Sequence, residues 1–203
     1  LLTRVKRGSG ILQTLYYVPV ITSSVAMAEV FVKAFSANPP GIINEVIRIF
    51  IPSFEGIAWL GEMSTAFPTV AFAEAYKNLG VYMLIFYSAL ISLPEDVGEA
   101  ARIDGANVVQ SYIYVKIPMI RNILMTSLIL IANGTLKAFD MSYLITGGEP
   151  GGSTELLATH MYKQGFSALN YGYASALAVF MAVESLLVVV AIRGIYTKYS
   201  KER

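Results

Sequence analysis

The stretch LGVYMLIFYSALISLPEDVGEAARIDGA, residues 79–106, decides how this chain is read, because a long apolar run passes within a few positions into a charged segment that ends on glycine. A membrane-spanning helix needs about 20 mostly apolar residues, since the hydrocarbon core is about 30 Å thick and a helix rises about 1.5 Å per residue. The apolar run completes one such segment, residues 67–93, and three others meet the same requirement: 11–35, 118–145 and 171–192. Composition agrees, with 55% hydrophobic and 14% charged residues and a mean hydropathy of +0.58, whereas soluble domains carry about a quarter charged residues. Backbone amides and carbonyls in lipid must be satisfied within their own segment, so each span is predicted to be helical. The fold class expected is an all-α, polytopic membrane helix bundle.

Basic residues orient the spans. Arg4, Lys6 and Arg7 precede the first, Arg102, Lys116 and Arg121 lie in or beside the loop after the second, and Arg193, Lys198, Lys201 and Arg203 follow the fourth. The positive-inside rule therefore places the amino-terminal stretch, residues 94–116 and the tail in the cytoplasm, and residues 36–66 and 146–170 outside. Within the first outer loop, GIINEVIRIFI carries Ile42, Ile43, Val46, Ile47 and Phe50 at helical spacing and is expected to lie along the membrane surface, with Trp59 further on. The second outer loop opens on TGGEPGGST, a run of turn formers. No internal repeat, low-complexity tract or linker divides the chain, which reads as one membrane domain. The first residues, LLTRVKRGSG, read as a loop rather than a start, so further helices are expected before Leu1.

The charged segment has its own local logic. Pro94 stops the incoming helix, Glu95, Asp96 and Glu99 suit the electropositive first turn of a new one, and Gly105 can end it in a left-handed conformation. A second short helix then runs toward Pro118. The expectation is a helix-turn-helix elbow whose small residues, Ala100, Ala101 and Ala106, allow another surface to approach closely. An ordinary re-entry loop between two spans would share this composition.

The spacing is more specific. Glu99-Ala100-Ala101, three residues, Gly105, nine residues, then Val115, Lys116, Ile117 and Pro118 resembles the EAA signature of the membrane subunits of binding-protein-dependent ABC importers. Val115 stands where that signature has Ile, and Ile117 where it has Leu; both keep an apolar side chain. YYVPV at residues 16–20, the quoted stretch itself, AFDMSYLITGGEPGGSTELL and YGYASALAV look like a carbohydrate permease of the maltose-transporter class, a MetI-like core. The resemblance implies that residues 1–203 form a single permease domain and that residues 94–118 form a coupling loop seated in a cytoplasmic ATPase. Glu99 and Asp104 would then be polar contacts to that ATPase, Ala100 and Ala101 would set the close approach, Gly105 would shape the turn, and Pro118 would close the motif. It further implies a second related permease, two ATPase copies holding ATP and Mg, an extracytoplasmic solute-binding protein, and a place in a bacterial or archaeal cytoplasmic membrane, surrounded by lipid.

Polar residues inside a span are costly and face a cavity or a partner. Asn78, Tyr82 and Phe86 repeat at i, i+4 and i+8 on the second span; Thr126, Asn133, Lys137 and Asp140 are expected along one face of the third; Tyr173, Phe180 and Glu184 have compatible spacing on the fourth. Amides and carboxylates pair with sugar hydroxyls and aromatic rings stack on sugar faces, so this set suits a substrate path. The same residues could instead satisfy one another or meet a second subunit. Lys137 with Asp140, and Glu29 with Lys33, are spaced for intrahelical pairs. Glu184 has no basic residue one turn away, and either meets a partner or stays protonated.

Other chemistry finds no footing. Cysteine is absent, which removes disulfides, thiolate metal sites and a cysteine nucleophile. No glycine-rich segment is followed by the lysine of a Walker A loop, so no cofactor is expected in this chain. His160 is the only histidine and has no partner set for a metal or a triad. A net charge of +1 gives no footing for nucleic acid. The reading is a non-enzymatic permease for a sugar, oligosaccharide or polyol. The alternatives are an importer of the same class for an amino acid, phosphate or metal chelate, an intramembrane enzyme, and an ion channel.

Overall fold

The computed structural model describes residues 9–201, and every regular element among them is helical. In chain order these are α1 (Ser9–Ile21), α2 (Ser24–Ala34), α3 (Ile42–Phe50), α4 (Met63–Ile91), α5 (Glu95–Ile103), α6 (Val108–Gln110), α7 (Ile117–Met119), α8 (Arg121–Leu136), α9 (Asp140–Ile145), α10 (Leu157–Tyr162) and α11 (Tyr171–Lys201). Two π-helical segments, Ser111–Lys116 and Lys163–Ser167, join α6 to α7 and extend α10. Arg4, Lys6, Arg7 and Arg203 of the orientation argument lie outside the described residues.

Two stretches are each long and apolar enough to cross a membrane, Arg121–Ile145 and Tyr171–Lys198, and two bent helix pairs reach that length together. The first expected span, residues 11–35, is one of the bent pairs and not a straight helix: Gly10–Ile21 and Ser24–Ala34 meet at 99°. Thr22 and Ser23 explain the break, since short hydroxyl side chains compete with the helical backbone and favour helix ends. Ser23 takes the N-cap position of α2 with ψ at 137°. The second pair bends by 69° between α4 and α5; α4 ends at Ile91 and Pro94 takes the N-cap position of α5. The third expected span is interrupted near its end. Lys137 and Ala138 tighten the last turn of α8 through bonds to Gly134 and Thr135, and a new helix starts at Asp140.

Contacts divide the chain into two compact units. One comprises Ile21–Lys77 and Asn133–Val188. Its core joins Met27 and Phe31 of α2, Val70 and Ala73 of α4, and Met141 of α9, with Phe35 and Ile145 packed against them. Phe31 and Phe35 stack at 5.9 Å, and Phe72, Tyr76 and Trp59 meet this pair edge-on. Asn44 of α3 is almost fully buried: its amide donates to the carbonyls of Ser36 and Ile57, while its oxygen accepts from Ile57 N–H and the Trp59 indole. Ile42, Val46, Ile49 and Phe50 consequently point outward on the other side of α3.

The other unit holds α1 through Val20, Asn78–Ala132, and α11 from Val189 onward. Here α1 and α4 cross so closely that a Cβ on Gly80 would stand 2.2 Å from the Tyr16 carbonyl oxygen. The Tyr196 hydroxyl reaches the side chain of Asn122, tying the end of α11 to the start of α8. Along α11, Val179, Phe180, Val183, Leu186, Leu187 and Val190 are all exposed, the surface expected of a helix whose solvent is lipid.

Candidate functional site

The elbow after α4 is built from local rules. Glu95 and Asp96 occupy the first turn of α5 and Arg102 its last, matching the helix dipole at both ends. Beyond the C-cap Asp104, Gly105 takes φ +81°, a conformation that costs a residue with a Cβ but not glycine. The turn closes through Gly105 N–H to Arg102 O at 3.0 Å and Ala106 N–H to Ala101 O at 2.9 Å. Asn107 then caps α6: its side chain accepts from Gln110 N–H at 2.9 Å, and the Gln110 side chain accepts from Asn107 N–H at 2.8 Å. This capping box is legible in the sequence as N-x-x-Q.

Of the EAA residues, Glu99, Ala100, Asp104, Gly105 and Pro118 are exposed, whereas Ala101 is buried inside the elbow. Ala101 therefore keeps α5 close to its own chain, and the small surface presented outward is Ala100 with Gly105. A Cβ on Gly105 would meet nothing within 4 Å. Lys116 lies over the Tyr112 ring at 4.9 Å, and a cavity of about 270 Å³ is lined by Pro94, Gly98, Arg102, Ser111 and Lys116 among others.

The polar residues of the spans are placed unevenly. Asn78, Tyr82 and Phe86 are half-buried on α4. Thr126 returns its hydroxyl to Asn122 O at 2.9 Å, and Phe180 is exposed. Asn133 and Glu184 each hold one side-chain oxygen buried without a hydrogen-bond partner. Tyr173 meets His160 edge-on at 5.9 Å. The expected Lys137–Asp140 pair is not formed. The break after α8 takes Lys137 off the helical register of Asp140, and Asp140 instead pairs with Lys77 of α4 at 3.7 Å. Ser24 donates to the same Asp140 oxygen, Oδ2, at 2.7 Å and accepts from the Lys77 ammonium. Lys77 and Ser24 were missed because their shared partner, Asp140, lies far along the chain, where helical spacing reports nothing. Glu29 and Lys33 do form their i,i+4 pair, at 3.9 Å between well-exposed side chains.

The loop after α9 is ordered by threonines. Buried Thr154 accepts from Ser142 through its carbonyl at 2.5 Å and shares a hydroxyl contact with Thr146 at 2.6 Å. Glu155 binds Lys163 at 2.9 Å and His160 at 3.4 Å. The Lys163 hydrogen bond lowers the Glu155 carboxyl from its ordinary 4.5, against partial burial that raises it, with the charges of Lys163 and His160 assisting. Among the described residues, no group of three or more His, Asp or Glu side chains is placed to hold a metal ion.

The family model described as binding-protein-dependent transport system inner membrane component matches residues 2–201. The chain is 30% identical over 183 residues to the probable ABC transporter permease protein YurN of Bacillus subtilis, covering 90% of this chain and 62% of that protein. It is 30% identical over 184 residues to the xylose/arabinose import permease protein XacH of Haloferax volcanii, covering 90% and 57%. The trehalose/maltose transport system permease protein MalF of Thermococcus litoralis is 29% identical over 188 residues, covering 90% and 61%. The chain thus spans less than two thirds of the length of these relatives. In fold it is similar to a chain of the crystal structure of a bacterial ABC transporter involved in the import of the acidic polysaccharide alginate, with a TM-score of 0.86 at 22% identity, covering 97% of this chain and 69% of that one.

Proposed function

This chain belongs to the family of binding-protein-dependent transport system inner membrane components, and from that premise we propose that it is a permease subunit of an ATP-driven importer for a sugar, oligosaccharide or related polyol. In this reading residues 1–203 form one permease domain and residues 94–118 couple it to a cytoplasmic ATPase. The partners are a second related permease, two ATPase copies that hold ATP and Mg, and an extracytoplasmic solute-binding protein. Closure of the ATPase dimer drives the elbows together and switches the cavity between inward and outward access. Relatives named for xylose, arabinose, trehalose and maltose support the carbohydrate assignment.

The observation that carries the coupling role is the tip of the elbow. Gly105 stands at positive φ with open space where a Cβ would lie, beside exposed Glu99, Ala100 and Asp104. A glycine needed only for its conformation tolerates asparagine, which also enters the left-handed region. A glycine needed for close approach does not. Gly105→Asn therefore separates the two roles without breaking the turn. The solute path runs along the polar side chains of α4, α8, α9 and α11, namely Asn78, Tyr82, Phe86, Asn133, Lys137, Asp140, Tyr173 and Glu184.

The test is ATP hydrolysis by the co-purified complex in liposomes, with the binding protein and a panel of mono- and oligosaccharides. Stimulation by one saccharide, lost in Gly105→Asn while the complex still assembles, is the expected result. Stimulation by an amino acid or phosphate and by no saccharide would overturn the carbohydrate assignment alone. An unaffected Gly105→Asn would overturn the coupling contact.

A further inference from the structure

We propose that the free carboxylate oxygen of Asp140 is a solute contact for a neutral polyhydroxylated molecule, and that Lys77 and Ser24 are positioning residues that aim it; this rests on the permease reading above. Lys77 is the middle residue of α4, which runs Met63–Ile91. At about 1.5 Å per residue that helix exceeds the hydrocarbon thickness, so its centre falls within the apolar core. A charge at that depth must be paired or must face water or a partner. Lys77 is paired and largely covered, its side chain only 16% exposed.

Asp140 is different. The ammonium of Lys77 and the hydroxyl of Ser24 both converge on its Oδ2, and its side chain is still 56% exposed. One oxygen thus fixes the carboxylate and the other, Oδ1, is left for something outside this network. The backbone supports that assignment. Ser24 opens α2 just after the 99° bend, and Asp140 opens α9 just after the break that ends α8. Interrupted spans at membrane depth are tolerated where they are packed in protein or line a water-filled cavity. Two such interruptions meet one largely covered lysine and leave the Asp140 side chain exposed, the setting in which a carboxylate can face a water-filled path. A carboxylate oxygen accepts from hydroxyl groups, the functional group a sugar or polyol presents most densely.

The experiment uses the reconstituted complex with its binding protein and measures uptake per assembled complex. The wild-type complex is first screened with trehalose, maltose, xylose, arabinose and diacetylchitobiose. The transported sugar is then compared with its monodeoxy analogues in wild type, Asp140→Asn and Asp140→Leu. For wild type, one analogue is expected to be taken up about tenfold more slowly than the parent, the effect of losing one hydrogen bond to a charged group. In Asp140→Leu that difference between parent and analogue disappears, and in Asp140→Asn, whose amide can still donate to a hydroxyl, it shrinks. Glu29→Gln, the same class of charge change at an exposed pair on α2, keeps it. A purely structural role for the triad lowers uptake of parent and analogue alike and leaves their ratio untouched, which overturns the inference while the permease reading stands. A wild-type complex that transports none of the saccharides overturns both.

Discussion

The indole N–H of Trp59 donates to the side-chain oxygen of Asn44 at 2.8 Å, and through that one amide α3 is tied to the loop that leads into α4. Asn44 uses both ends of its amide, donating to two carbonyls and accepting from two N–H groups.

Asn44→Ala removes all four bonds at a site almost closed to solvent. Each buried polar group left unsatisfied costs about 1–3 kcal/mol, so a loss of about 3 kcal/mol is expected. Asn44→Asp keeps the acceptors but turns a second oxygen, and a charge, toward the Ser36 and Ile57 carbonyls in a site closed to solvent, and should be no milder than Asn44→Ala. Thermal unfolding of the detergent-solubilised complex, followed by Trp59 fluorescence, reads both. Equal midpoints for wild type and Asn44→Ala would mean that the hub does not stabilise α3.

Asn44 also shows where sequence reading stops. The helix at residues 42–50 was visible from its apolar spacing, yet that spacing concerns the side turned outward, and the residue that anchors the helix is one polar side chain whose partners lie eight to fifteen positions away. The elbow was legible because its determinants are local: Pro94 before the helix, acids in its first turn, Gly105 at its end. Lys77 and Asp140 were illegible as a pair, since what joins them is the bend at Thr22 and the break at Lys137, and no periodicity reports a break. Periodicity instead suggested Lys137 as the partner, which holds only if the helix continues.

Gly80 is a second contact that only the fold reveals. A Cβ there would lie 2.2 Å from the Tyr16 carbonyl oxygen and 2.9 Å from the Val20 side chain, so backbone must move. Gly80→Ala is expected to cost about 1–3 kcal/mol, as for overpacking elsewhere, despite the better helix propensity of alanine. Gly194→Ala, where a Cβ meets nothing within 4 Å, should instead be neutral or gain about 0.5–1 kcal/mol. Parallel melts of the two variants check this, and the prediction fails if they shift in the same direction.

The Glu155 carboxyl gives a pH dependence with a definite sign. Its folded pKa is depressed, chiefly by the hydrogen bond from Lys163, so its stabilising contribution is fully present above the ordinary value of 4.5 and is lost as pH falls through the lower folded value. The advantage of wild type over Glu155→Gln in thermal midpoint should be present in full at about pH 5 and shrink in stronger acid. In Lys163→Met the depression is relieved, so that advantage is smaller throughout. A wild-type advantage that persists unchanged to pH 3 would show that Glu155 acts without its charge.

Lys77 and Asp140 should be energetically coupled in a way that reveals what each needs. Lys77→Met removes the cation and leaves a carboxylate on a membrane-embedded helix start with only Ser24 to hold it. Breaking one side of such a pair costs most where the survivor is covered, because it keeps its desolvation penalty and loses its compensation. Lys77 is 16% exposed and Asp140 56%, so the double variant Lys77→Met with Asp140→Asn should be more stable than Asp140→Asn alone, even though it carries the additional change. Lys77→Met alone should be milder than Asp140→Asn, since the exposed carboxylate keeps its solvation and still accepts from Ser24. A double-mutant cycle on thermal midpoints measures the coupling. Additive effects would mean that the two side chains are neighbours without interacting, and that the bends at Thr22 and Lys137 are held by apolar packing of α2 against α9 instead.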